Sequence, residues 1–134
     1  MMRKLLIVLL VGMQAACWSD KVTGSSTVFG TYTLRTVNGS SLPFTVSGSG
    51  TTKSEIVADT IFLYEGFTFA EQAHYRNTVS GPVTNQIVTD RGSFGLLGNS
   101  ASFISADGSP VKTYVIDADV MHVVKPGLTM DFKK

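Results

Sequence analysis

From residue 29 onward the chain is broken at short intervals by residues that turn a backbone. The breaks are Asn38-Gly39, Gly48-Ser49-Gly50, Glu65-Gly66, Ser80-Gly81-Pro82, Gly98-Asn99, Asp107-Gly108, Asp117-Ala118-Asp119 and Pro126-Gly127. Glycine and asparagine tolerate left-handed backbone, and proline presets one torsion, so such clusters end regular elements. The segments between them are of about strand length. None has the 3.6-residue period of an amphipathic helix. This punctuation constrains the chain to a meander of about eight antiparallel strands.

The segments also alternate. "TYTLRTV" places Tyr32 and Leu34 on one face and Thr31, Thr33 and Arg35 on the other. "FTFAEQAHYR" groups Phe67, Phe69, Ala73 and Tyr75 against Thr68, Gln72, His74 and Arg76. "LTMDFKK" sets Leu128, Met130 and Phe132 against Thr129, Asp131 and Lys133. Period two marks a half-buried antiparallel strand. "EIVAD", from Glu55, suits either a brief turn or a strand. Glu65-Gly66 between "IFLY" and "FTF" predicts a two-residue hairpin. A glycine followed by an aromatic recurs at Gly30, Gly66 and Gly92, and each is expected to open a strand. A row of antiparallel strands leaves two open edges. Closure into an up-and-down barrel removes both, and a β-sandwich is the alternative.

The N-terminus differs in kind. Arg3 and Lys4 precede "LLIVLLV", which runs into Gly12, Met13, Gln14, Ala15 and Ala16. A basic start, a short apolar run and small residues make an export signal over residues 1–16. The run falls well short of the ~20 residues of a spanning helix. Removing Arg3 and Lys4 turns the formal net charge of +1 into −1, so the slight basic excess belongs to the signal. No basic patch for nucleic acid remains.

The only cysteine, Cys17, follows Ala15-Ala16 directly. A lone cysteine in an exported domain has no internal disulfide partner. The segment resembles a bacterial lipoprotein lipobox, although Gln14 stands where that pattern usually carries an aliphatic residue. The resemblance implies cleavage between Ala16 and Cys17, a diacylglyceryl group on the sulfur and a fatty acyl chain such as palmitate on the new α-amine. Several acyl chains anchor a protein stably, at ~0.8 kcal/mol per buried methylene. Residues 17–28 then form a lipidated tether, residues 29–134 the folded domain, and the cell envelope of a bacterium is the expected location.

The domain as a whole is similar to the bacterial lipocalin-like lipoproteins. The similarity rests on "GTYTLRTVNGSSLPF", where Gly30-Thr31-Tyr32 has the glycine–x–aromatic opening of the family's first strand, and on "DRGSFGLLGNSASFISADG". It implies an eight-strand barrel that encloses a small hydrophobic ligand.

Chemistry-bearing residues are sparse. His74 falls on a polar strand face, which is a solvated position. His122 lies in the apolar "VMHVV" and suits a satisfied barrel histidine or a ligand contact. Asp117 and Asp119 would bind calcium only with several more oxygen ligands. No metal-ligand spacing, phosphate loop or nucleophile motif is present in the sequence. The expectation is a non-enzymatic chain without metal or cofactor. Its ligand-binding candidates are Tyr32, Phe67, Phe69, Tyr75, Phe94, His122 and Met130. The same aromatics could instead make a solid core, with the protein acting through its surface. Both readings stand at this point: a membrane-anchored barrel with a small hydrophobic ligand, and a filled barrel with an interaction role.

Overall fold

The computed structural model describes residues 28–134. The signal segment, Cys17 and all but the last residue of the expected tether lie outside the described residues. Ten strands follow: β1 (Gly30–Val37), β2 (Ser40–Ser41), β3 (Phe44–Ser49), β4 (Thr52–Tyr64), β5 (Thr68–Thr78), β6 (Val83–Leu97), β7 (Ser100–Ser105), β8 (Lys112–Asp117), β9 (Val120–Lys125) and β10 (Leu128–Lys133). Every pairing is antiparallel, and from β3 to β10 each strand pairs with its successor. The ring closes through β1, which pairs with β10 on one side and with β4 on the other. Eight strands, β1 and β4 through β10, therefore form a closed up-and-down barrel, as the alternation predicts.

Strands β2 and β3 are additions to that ring. Gly30–Thr33 pairs with Thr60–Leu63. Beyond it the two strands diverge, with β2 on the end of β1 and β3 on the start of β4. The two short strands flank Pro43 and fill the opening, so backbone groups at the divergence find ladder partners.

One open local expectation is decided and two need correction. The "EIVAD" segment is strand, interrupted by a register shift between Ile56 and Ala58. That bulge advances the side-chain parity by one, so Ile56, Asp59, Ile61 and Leu63 share the interior. The hairpin at Glu65-Gly66 is one residue longer than a two-residue turn. Phe67 adopts φ +59° and its N–H donates to the Tyr64 carbonyl at 2.9 Å. Gly92 does not open a strand; it lies inside β6, where a Cβ would collide with the Ile104 carbonyl oxygen. Glycine there is a packing requirement of the β6–β7 contact.

One end of the barrel is apolar and full. Tyr32, Phe103, Phe132, Ile61 and Met121 are among its fully buried side chains, each worth about 1.5–3 kcal/mol in transfer from water. Past the point where β7 leaves, β6 continues along β5, which itself stays paired with β4. The Arg91 carbonyl accepts the Ala106 N–H at 2.8 Å, and there β7 turns away. From Val83 to Asp90, β6 has a strand neighbour only on its β5 side, among the described residues.

Candidate functional site

The interior divides into an aromatic half and an ionic half. The aromatic half is built by alternation on adjacent strands. Phe69 on β5, Phe94 on β6, Phe103 on β7 and Tyr114 on β8 all point inward. Phe103 meets Phe69 edge-on at 5.0 Å, Phe94 at 5.6 Å and Tyr114 at 4.9 Å between ring centroids. Phe67 and Phe29 close this end, 5.3 Å apart, with Phe67 5.4 Å from Phe94. The gap left between Ile61, Phe69, Phe103 and Tyr114 has no room for a water molecule.

Five of the sequence-predicted ligand residues share this interior. Tyr32, Phe69, Phe94 and Met130 are buried, and Tyr75 is partly buried against the same core. The Tyr32 hydroxyl donates to the Val28 carbonyl at 2.7 Å, which satisfies its polar end. Phe67 sits at the rim, 43% exposed. His122 is not in the interior. Met121 and Val123 take the inward positions on β9, so His122 faces out, with Nδ1 2.6 Å from Asp131 Oδ1. The apolar run "VMHVV" hid this, because Val120 and Val124 are themselves outward. His74 also lies on the outer parity of β5, where the alternation put it.

The ionic half was not anticipated. Glu71 follows Phe69 on the inward parity of β5, Asp90 precedes Gly92 on β6, and Lys112 precedes Tyr114 on β8. Asp90 accepts from Lys112 Nζ at 2.7 Å and from Ser105 Oγ at 2.7 Å. Burial alone would raise the Asp90 pKa, but these bonds and the Arg91 N–H hold it below the ordinary carboxylate value. Burial likewise opposes the Lys112 charge, and Asp90 outweighs it, raising that lysine's pKa. Asp59 is only 1% exposed, and its Oδ1 has no hydrogen-bond partner. Burial first, then the charge and hydrogen bond of Glu71, push Asp59 up to about 8. It therefore holds a proton at neutral pH against the Glu71 carboxylate. Tyr75 and Tyr114 are raised by burial and by these acids.

Against these ionic residues a polar cleft of about 440 Å³ runs between the β5–β6 ladder and the β7–β8 loop, with Glu71, Asp90, Arg91 and Asp107 on its walls. Among the described residues no cluster of three or more histidine, cysteine, aspartate or glutamate side chains is placed to hold a metal. The arrangement can exchange a proton and fix strand positions by ion pairing. Its apolar half offers no vacant volume. Comparison with protein-family models, with curated proteins and with solved structures gives no match to this chain.

Proposed function

We propose that this chain is a bacterial envelope lipoprotein, anchored through Cys17, whose barrel is a filled scaffold that acts through its surface. One observation carries the choice between a filled and a ligand-carrying barrel: the aromatic half of the interior is packed shut. A hydrophobic cargo would have to displace the Phe69–Phe103–Tyr114 cluster, and cores at crystal-like density do not yield that volume freely. The anchoring rests on the lipobox-like "QAAC" and on the absence of any disulfide role for a single cysteine.

The test has two arms. Titration of the purified chain with a fluorescent fatty acid should give no saturable one-to-one binding; stoichiometric uptake would overturn the filled-barrel reading. Expressed in a bacterium, the chain should fractionate with membranes and Cys17→Ser should release it. A Cys17→Ser chain that stays in the membrane pellet after a high-salt wash would overturn the anchor.

A further inference from the structure

We propose that the free edge of β6, Val83 to Thr89, pairs with the same edge of a second copy, joining two barrels through one continuous sheet. The inference deepens the proposed function, since it names the partner of a barrel that acts through its surface.

Among the described residues the edge is open and unprotected. All seven residues from Val83 to Thr89 are exposed, including Val83 at 55%, Ile87 at 59% and Val88 at 45%. Proteins blunt such edges with charge, proline or a bulge. "VTNQIVT" contains no charge and no proline, and its register with β5 is unbroken. Five of its seven residues are valine, isoleucine or threonine, the types that suit a paired strand.

The direction of the free backbone groups is fixed by two hydrogen bonds. Phe94 N–H points to the β5 side, where it donates to the Phe67 carbonyl. The Arg91 carbonyl points to the other side, toward Ala106. Strand residues alternate, so the odd-numbered positions Val83, Asn85, Ile87 and Thr89 present N–H and C=O to the open edge. An antiparallel two-fold pairing must join odd to odd. Centring it on Gln86 uses all four: Val83 faces the copy's Thr89, and Asn85 faces the copy's Ile87. That makes about eight main-chain hydrogen bonds, two for each facing pair. A centre at Ile87 would need the Arg91 carbonyl, which is already taken by Ala106; a centre at Asn85 leaves Thr89 unpaired.

Charge permits this and shape completes it. No charged residue within 83–89 meets another, so the self-pairing sets no like charges opposite each other. Ile87 lies diagonal to its own copy, within reach across the ladder. The copy's β6 occupies the lane beside β6 that β7 leaves at Ala106, so the two sheets abut end to end without displacing a native strand. An isologous contact of this kind closes on itself and stops at two.

Cysteine crosslinking in the full chain carrying Cys17→Ser, which has no other cysteine, tests the pairing and its register. At the two-fold centre, Gln86 faces its own copy as a non-hydrogen-bonded pair with Cα atoms about 4.5 Å apart, inside disulfide range. Thr84 and its copy are offset by four residues, roughly 13 Å, beyond that range. Gln86→Cys should therefore give a disulfide-linked dimer on mild oxidation and Thr84→Cys should not. Adding Ile87→Pro should abolish the crosslink, because proline removes an edge-facing N–H and leaves the β5 ladder donors in place. Ile87→Lys, which sets like charges on the diagonal, should do the same should the proline variant misfold. A monomer with no crosslink at Gln86 up to roughly 100 µM, a concentration generous for a small interface, overturns the proposal and leaves the edge to a strand of another protein. Equal crosslinking at both positions overturns it as random collision. Fatty-acid uptake would end the filled-barrel reading without changing the crosslinking pattern, so the two failures are distinct.

Discussion

Replacing Asp59 with asparagine should flatten the pH dependence of stability in a calculable way. In the folded protein the Asp59 carboxyl has its pKa raised from 3.8 to about 8 by burial and by Glu71. In the unfolded chain it titrates near the ordinary value. Between those two values the folded state holds a proton that the unfolded state has released. Folding then takes up a proton, so stability falls as pH rises. The contribution is whole below about pH 4, declines by about 1.4 kcal/mol per pH unit, and is exhausted above about pH 8. The full span is bounded at about 6 kcal/mol, and by pH 7 about 4 kcal/mol of it is gone. Asparagine needs no proton to donate toward Glu71, and it occupies the same volume. Urea denaturation of wild type and Asp59→Asn at several pH values from about 4.5 to 9 gives the difference directly. Glu55, Asp90 and Asp107, whose pKa values are held down by their partners, lose their contributions in acid in both proteins and cancel. The difference between variant and wild type should grow toward alkaline pH and level off beyond about 8. Parallel curves, with a constant difference, would refute a proton held at Asp59.

Three further outcomes follow from the packing. Gly92→Ala should destabilise by roughly 2 kcal/mol or more, because its Cβ meets the Ile104 carbonyl and backbone must move; an unchanged urea midpoint would contradict that contact. Phe103→Ala, at the centre of the aromatic cluster and 1% exposed, should cost about 3–5 kcal/mol, and the cavity it leaves should admit a small aromatic molecule detectable by ligand-induced rise in Tm. His122→Ala removes an outward pair with Asp131 in which both side chains are about two-fifths exposed, so its cost should be about 1 kcal/mol or less; a loss comparable to Phe103→Ala would place His122 in the core.

The barrel was legible because turn chemistry and alternation are local. Asn38-Gly39, Gly98-Asn99 and Pro126-Gly127 all fall between paired strands, and the inward set Tyr32, Leu34, Phe69, Met130 and Phe132 follows from parity alone. Two things were not local. The bulge at Ile56–Ala58 shifts parity within β4, so "EIVADTIF" reads ambiguously until its pairing with β5 is known. The short strands β2 and β3 exist because β1 and β4 diverge, which no property of "SSLPFTVSGS" reveals. The ionic half was partly readable. Glu71 sits between Phe69 and Ala73 on the inward parity, and Asp90 two residues before Gly92. An expectation of an apolar interior passed over both carboxylates, whose placement depends on partners on other strands, such as Ser105 and Lys112 for Asp90. His122 misled in the opposite sense, since the valines that share its face, Val120 and Val124, point outward as it does.

Native mass spectrometry of the protein purified from a bacterial envelope reads both parts of the proposed function at once, the filled barrel and the lipid anchor. The predicted spectrum shows a chain beginning at Cys17, heavier by covalent diacylglyceryl and acyl groups, with no further mass lost on denaturation. A stoichiometric apolar molecule released on denaturation would contradict the filled barrel. An unmodified cysteine, or a chain cut elsewhere, would contradict the anchor.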